Sequence, residues 1–211
     1  MRHLVPIIAP IIAACWALTG CLGSTETVPP DHYYRITVNE PGQPAASVAF
    51  PGVLSIATFD GDGLVRGRPL LFSSSELQGQ DTLRQHNYHY WVDSPSRLLQ
   101  GQLATYLKNS ALADSVVTPE MRVHADFELL GKILRLERVL GAGPSRVMVK
   151  LELSVVRLSD HTLVSTNTYS SEINCIDDSV SAAIAAMNQA VGKIFNDFVA
   201  GAGRHDLMPR G

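Results

Sequence analysis

The sequence predicts a single α+β domain in which a largely antiparallel sheet carries two main helices packed on one face. Residues 121–129 and 147–155 alternate apolar and polar side chains with the period of two that is typical of half-buried strands. Residues 95–110 and 180–198 instead repeat apolar side chains three and four positions apart, as helices with one buried face do. The order of strands, helix, strand meander and helix favours the α+β class.

The first part of the fold is predicted to contain four strands. Residues 32–38 and 53–59 are rich in aromatic and β-branched side chains, and turn-forming residues follow each of them. Residues 68–73 and 86–91 are shorter strand candidates. We interpret the polar residues between them, 74–84, as a loop.

The second part is predicted from helix caps and strand periodicity. Ser94 offers an N-cap hydroxyl and Pro95 suits the first helical position, so a helix is expected from there to about Ser110. The alternation after this helix is interrupted at Gly131, which indicates a bulge or a bend. The threonine-rich residues 162–171 predict a polar strand near an edge of the sheet.

The last helix is expected to begin at Asp177 and Asp178, because acidic residues cap helix N-termini and are favoured by the helix dipole. We assign residues 31–200 to the folded domain. Residues 201–211 are expected to form a disordered tail.

The N-terminal residues predict export and lipidation. Arg2 and His3 precede an uncharged, largely apolar segment, as in an export signal. This segment ends in Leu18-Thr19-Gly20-Cys21, which resembles the lipobox of bacterial lipoproteins. The resemblance implies cleavage after residue 20, a lipid on Cys21, and a flexible tether over residues 21–30. An uncleaved transmembrane anchor or a buried N-terminal helix is the alternative, and either would leave Cys21 an ordinary thiol.

Charge and motif content exclude several classes of function. The chain has 17 Lys and Arg against 20 Asp and Glu, a net charge of −3, so it offers no basic field for nucleic acid or anionic lipid. It lacks the Gly-x-Ser-x-Gly turn of serine hydrolases and the phosphate-binding loop that ends in lysine. Residues 60–63 resemble the start of a calcium loop without its remaining ligands. We therefore predict no catalytic residue, no metal site, no cofactor and no enzymatic activity.

A pair of histidines and a single cysteine could suggest a metal site or a catalytic thiol, but both have structural explanations. His86 and His89 are three residues apart, so on a regular strand they would point to opposite faces and could not share an ion. Cys175 has no basic or electropositive neighbours in the sequence, and we expect it to be buried as a small apolar residue.

Aromatic residues are most concentrated on two predicted strands, at Tyr33, Tyr34, Tyr88, Tyr90 and Trp91. Of these, Tyr34, Tyr90 and Trp91 are candidates for contact with a partner or with lipid. Packing of these rings in the core is an equally good explanation of the pattern.

Several short motifs carry a resemblance that spans almost the whole chain after the signal segment. They are residues 18–21, 33–36, 90–95, 149–153 and 187–191. In these motifs the chain resembles the ABC-type transport auxiliary lipoproteins, a family that includes paraquat-inducible outer-membrane lipoproteins.

The resemblance implies a lipoprotein that faces the periplasm and works with an inner-membrane ABC transporter and a mammalian-cell-entry-type substrate-binding protein to move phospholipids or other lipids between membranes. It implies no catalytic residues. Leu22 stands where an inner-membrane retention signal would place aspartate, so anchoring in the outer membrane is expected. Whether several copies form a homo-oligomer is open.

Two alternative functions remain at this stage. One is a lipoprotein cofactor or regulator of an envelope assembly machine or a cell-wall synthase, since small α+β lipoproteins serve such roles as well. The other is a periplasmic hydrolase, for which the only support is the abundance of serine and histidine.

Overall fold

The computed structural model of the chain describes residues 28–41, 45, 47–74, 82–141 and 143–203. The expected signal segment, Cys21 and most of the expected tether lie outside these residues, as does most of the expected tail. The compact unit described below begins at Asp31. Within the described part of the chain, no helix is long and apolar enough to cross a membrane.

The described residues form nine strands and two α-helices. The strands are β1 (His32–Tyr34), β2 (Phe50–Ile56), β3 (Asp60–Gly61), β4 (Pro69–Ser74), β5 (Thr82–Trp91), β6 (Ala113–Val117), β7 (Phe127–Leu140), β8 (Arg146–Arg157) and β9 (Thr162–Asn174). The helices are α1 (Pro95–Ser110) and α2 (Val180–Ala202). Short 3-10 segments lie at Gly63–Arg66 and Pro119–Met121.

All nine strands belong to one sheet with β7 at its centre. On one side, β7 pairs antiparallel with β8, which pairs antiparallel with β9. On its other side, successive parts of β7 pair in parallel with β2, β3 and β4. Strand β4 pairs antiparallel with β5, while β1 and β6 add short parallel strands beyond β5 and β2. The longest pairings are antiparallel, so the predicted fold class is confirmed. The short parallel pairings were not predicted.

The strands β7 and β8 show why their sequences alternate. In β8 the buried and half-buried residues alternate almost without exception, because one face of the strand packs into the core. In β7 the alternation changes phase at Leu134, which is the extra residue between two regular pairs, Ile133 with Leu151 and Leu136 with Val149. The predicted bulge therefore exists, three residues after the position expected for it.

The caps of the two helices differ from each other. Helix α1 begins at Pro95 and ends at Ser110, as predicted, but the Ser94 hydroxyl does not make the predicted capping hydrogen bond. Helix α2 is capped by Ser179, whose hydroxyl accepts a hydrogen bond from the Ala182 N–H at 3.0 Å. The predicted cap by the acidic pair is thus wrong, although the Asp177 carboxylate accepts a hydrogen bond from the Ser179 N–H at 2.7 Å. A carboxylate two residues before the cap thus positions the serine that forms the cap.

Several predicted boundaries are corrected. Strand β5 begins at Thr82, within the expected loop. Strand β6 was missed, and the alternating residues 121–126 lie outside any strand, with Met121 and Val123 about half exposed. Of these residues, Asp126 is joined to β2 by a hydrogen bond from its N–H to the Val53 carbonyl at 2.9 Å, but none is part of a strand. Helix α2 extends to Ala202, two residues into the expected tail.

The core lies between the sheet and the two helices, which cover one face of it. The largest fully buried side chains include Trp91, Phe50, Phe195 and Phe198. The Cys175 thiol is free and buried at the edge of this core, as predicted from the sequence. A core built from both helices and most strands makes the described unit one domain.

Candidate functional site

The first strand of the domain, β1, attaches to the outer edge of β5. Their parallel register aligns His32 with His89, Tyr33 with Tyr90, and Tyr34 with Trp91. Because side chains alternate along a strand, His32 and Tyr34 share one face of β1 and Tyr33 points to the other. The pairing therefore builds one surface from histidine and tyrosine, and a second from tyrosine alone.

A large bulge in β5 brings its two histidines together. The pairing of β5 with β4 jumps from Gln85 opposite Leu71 to Tyr90 opposite Pro69, so four residues of β5 oppose one residue of β4. Within this bulge Tyr88 has a positive φ of 61°, a backbone conformation in which the alternation of side chains is broken. The expectation that His86 and His89 point to opposite faces is therefore wrong.

We call His32, His86 and His89 the histidine cluster. The rings of His32 and His89 are stacked with centroids 5.1 Å apart, and the ring of His86 meets His89 edge-on at 5.9 Å. The Tyr34 hydroxyl and His89 Nδ1 are 2.9 Å apart and hydrogen-bonded. On its remaining side, His86 packs against the ring of Phe72 in β4 at 4.6 Å. These three imidazoles thus come from two strands that are far apart in the sequence.

The electrostatics of the histidine cluster favour neutral imidazoles. Burial is the main cause that lowers the pKa of His86 to about 4, and the positive charge of Arg138 and the neighbouring His89 lower it further. Burial also lowers the pKa of His89, with His32 as the second cause. For Tyr34, burial raises the pKa of the hydroxyl above its usual value. Burial therefore disfavours a positive charge on His86 and His89.

The three residues predicted to contact a partner or lipid have different environments. Trp91 is only 2% exposed and belongs to the core, so the alternative of core packing is correct for this residue. Tyr34 and Tyr90 are half-buried. Tyr90 packs at 5.8 Å against the ring of Tyr33, which is 54% exposed and lies beneath the guanidinium of Arg68 at 5.4 Å from its centroid. We call Tyr33, Tyr90 and Arg68 the tyrosine edge.

A second concave surface lies where the chain leaves β1. Residues 37–40 cross the helices in an extended conformation, held by side-chain amides: the Thr37 N–H donates to Asn188 Oδ1 at 3.1 Å and the Val38 N–H to Gln102 Oε1 at 2.9 Å. Beside this segment lies a groove of about 560 Å³, lined mainly by polar side chains of the segment and of α2. Sequence reasoning did not find this groove, because its amides are spread over three elements.

Neither surface contains a metal centre. In residues 28–41, 45, 47–74, 82–141 and 143–203 there is no group of three or more His, Cys, Asp or Glu residues placed to hold a metal ion. The stacked geometry of His32 and His89 explains this for the histidine cluster, because parallel rings do not direct two ring nitrogens at one point.

The solved structures that resemble this one include the following two. A Xanthomonas campestris protein of family DUF330 has a TM-score of 0.70 and 16% sequence identity, covering 82% of this chain and 96% of that chain. The structure of an uncharacterised protein has a TM-score of 0.60 and 11% identity, covering 81% of this chain and 97% of that one. At such identities the similarity is one of fold. No curated protein has significant similarity to the chain.

The described residues form a small α+β domain. The family assignment comes from the sequence: the model of the ABC-type transport auxiliary lipoprotein component family matches residues 76–199, more than half of the chain. The chain belongs to this family. Its coarse function is therefore that of an auxiliary lipoprotein component of transport systems, as the resemblance in its motifs predicted.

Proposed function

We propose that this chain is an outer-membrane-anchored lipoprotein that faces the periplasm and acts as a non-catalytic accessory of an ABC transporter. In this proposal a mammalian-cell-entry-type substrate-binding protein is the second partner, and the cargo is phospholipid or another lipid moving between the two membranes. The observation that carries the proposal is the family match over residues 76–199, because an auxiliary component works through a transporter. The motif that ends at Cys21 supports the anchor.

The anchor and the domain have complementary roles in this proposal. A lipid on Cys21 holds the chain at the membrane, and residues 22–30 span up to about 30 Å when extended. The compact unit begins immediately afterwards, at Asp31. The domain therefore stays within a short distance of the bilayer while it contacts a partner that reaches across the periplasm.

We place the partner contact at the tyrosine edge, which lies on the face of β1 opposite to Tyr34. Tyrosine and arginine are enriched at protein interfaces because they bury a large area and retain polar ends. Tyr33 is more than half exposed, and the Arg68 guanidinium over its ring is fixed by a hydrogen bond from Nε to the Trp91 carbonyl at 3.0 Å. A surface that is exposed yet held in place loses little entropy on binding.

The first test identifies partners and the lipid in one experiment. The chain is crosslinked in intact cells and purified through a C-terminal tag, and mass spectrometry then identifies the covalent partners and the mass at Cys21. We expect a mammalian-cell-entry-type protein or its ABC transporter, and an acyl mass that is absent in Cys21→Ser. Recovery of only a cell-wall synthase or barrel-assembly proteins would replace the proposal with the envelope-machine alternative.

A second test locates the contact. Tyr33→Ala combined with Tyr90→Ala should reduce the yield of crosslinked partner severalfold, because the exposed rings are lost. The matched control is Leu163→Ala, which removes another half-exposed apolar side chain, on the distant strand β9. Equal yields from both variants, with unchanged urea unfolding curves, would remove the tyrosine edge as the contact.

A third test concerns the membrane. In a host that retains lipoproteins at the inner membrane through aspartate after the acylated cysteine, Leu22→Asp should move the protein from the outer to the inner membrane fraction. Leu22→Ala is the control and should leave it in the outer membrane. Inner-membrane fractionation of the unmodified protein would contradict this part of the proposal.

A further inference from the structure

Strand β1 is held by few interactions, and two of them converge on one imidazole. The strand has three residues. His32 stacks on His89, and Tyr34 is hydrogen-bonded to the same ring. Further links are the backbone pairing with β5, the contacts of Tyr33 with Tyr90 and Arg68, and the packing of Tyr34 against the core. The Val92 N–H also donates to the Tyr34 carbonyl at 2.9 Å.

The charged and titratable groups that face these imidazoles offer no compensation for a positive charge. His89 faces His32 and Tyr34 on β1 and His86 on its own strand. His86 faces His89, the Phe72 ring of β4 and the positive charge of Arg138 on β7. Among the described residues, Asp31 is the carboxylate next to the strand. Its Oδ2 instead accepts a hydrogen bond from the Tyr33 hydroxyl, on the opposite face of β1.

We propose that β1 is an acid-released strand: when acid places a proton on both of the stacked rings of His32 and His89, their repulsion separates β1 from β5, and residues 31–34 leave the sheet. The release is local because His32 lies on β1, the shorter of the two strands that carry the cluster. Moving His86 or His89 would require opening β5, which is also paired with β4. Moving His32 breaks only the few contacts of β1.

The release ends at a fixed point in the chain. Ile36 is 1% exposed and anchors the segment in the core. The Thr37 and Val38 N–H groups are held by the amides of Asn188 and Gln102, which do not titrate. These interactions do not change between pH 8 and pH 5, so the segment from Ile36 onwards remains in place while the residues before Arg35 detach.

The structural consequence is a longer free segment and an altered surface. Four released residues add about 13 Å of extended reach to the chain before the domain. If Cys21 carries the proposed anchor, the domain moves further from the bilayer by up to this distance. Release also separates the ring of Tyr33 from that of Tyr90, so the tyrosine edge is no longer a continuous surface. The release itself depends only on the contacts of β1 and is independent of the proposed function.

Hydrogen exchange with mass spectrometry tests the proposal on the full chain in detergent micelles. After correction for intrinsic exchange rates, the protection of amides 32–35 should fall about tenfold between pH 7.5 and pH 5.0. The reason is that the repulsion free energy of two positive charges about 5 Å apart at a protein surface corresponds to a change in protection of about this size. Peptides from β8 and the amides of Thr37 and Val38 should keep their protection.

Matched variants assign the effect to the cluster. His32→Phe keeps a ring against His89 but cannot be protonated, so the fall in protection of amides 32–35 should disappear. His124→Gln removes an exposed histidine outside the cluster and should leave the fall unchanged. Three results would overturn the proposal: protection that is equal at both pH values, a fall that persists in His32→Phe, or an equal fall in β8, which would mean global unfolding.

Discussion

Gly131 of β7 lies directly against the ring of Phe59, so close that a Cβ placed on Gly131 would be 2.5 Å from two carbons of the ring. Phe59 is 3% exposed and occupies space over the strand that a side chain would otherwise fill. The glycine is therefore required by close approach rather than by the bulge, which lies at Leu134.

The first prediction is that Gly131→Ala destabilises the domain by about 1–3 kcal/mol, since the ring must move within a packed core. Urea unfolding followed by circular dichroism measures the change. The matched control is Gly101→Ala on the exposed face of α1, where a Cβ would meet nothing within 4 Å. That substitution should stabilise by up to about 1 kcal/mol, as alanine favours helix. An unchanged free energy of unfolding in Gly131→Ala would show that the Phe59 ring moves aside at no cost.

The parts of the fold that could be predicted are those whose signals are local. The alternation in β8 and the apolar stripes of α1 and α2 follow from one buried face per element, and each was visible in the sequence. Strand β6 could not be found in this way, because only two of its five residues are buried and it exists through parallel pairing with β2. Tertiary pairing, rather than local propensity, creates that strand.

The histidine cluster was beyond sequence reasoning for a related reason. His32 and His89 are 57 positions apart, and only the register of β1 on β5 brings them together. The expectation for His86 and His89 used the regular alternation of a strand, which the positive φ of Tyr88 breaks. The residue type of Tyr88 does not predict its positive φ, since left-handed backbone is uncommon for tyrosine.

The second prediction concerns the pH dependence of global stability. The folded protein lowers the pKa of His86 to about 4, whereas an unfolded histidine titrates near 6.5. The unfolded state therefore binds more protons between these values. The stability contributed by neutral His86 is complete above pH 6.5 and is lost as the pH falls toward 4. Because the His86 ring is only half-buried, solvent screening reduces this contribution, and the loss at pH 5 is about 1 kcal/mol.

Urea unfolding at pH 8 and pH 5 measures this loss. His86→Phe keeps the contact with Phe72 and should reduce the difference between the two pH values, while His124→Gln should not. A difference that is unaltered in His86→Phe would mean that other groups cause the acid sensitivity. Urea unfolding measures the stability of the whole domain, so this test is separate from the measurement of amide hydrogen exchange in β1.

The third prediction concerns Arg138, a buried arginine of β7 that contacts the segment before α2. Its side chain is 8% exposed, and its Nη2 donates to Ser145 Oγ at 3.0 Å and to the Asp178 carbonyl at 2.8 Å. The bond to Asp178 ties the segment before α2 to β7. Arg138→Met keeps the apolar stem and should destabilise by about 2–3 kcal/mol, since bonds to a charged donor are lost.

Arg66 provides the control for Arg138, because its side chain is 65% exposed and its ion pair with Asp60 is solvated. Arg66→Met should give a much smaller change in the same urea unfolding experiment. Equal changes in the two variants would show that the bonds of Arg138 contribute no more than a surface ion pair. Amide hydrogen exchange at the first turn of α2 should also become faster in Arg138→Met, but not in Arg66→Met.

The final prediction concerns Cys175, the buried free thiol between β9 and α2. Its side chain is 7% exposed within the apolar core, while its N–H donates to the Ser145 carbonyl at 2.8 Å. Cys175→Ala should be tolerated better than Cys175→Ser, because serine places a hydroxyl in apolar surroundings at a cost of about 1–3 kcal/mol. Alkylation of the Cys175 peptide, followed by mass spectrometry, should be slow in native protein and fast in urea. Fast native alkylation would mean that this segment opens readily, and then the serine variant should be as stable as the alanine variant.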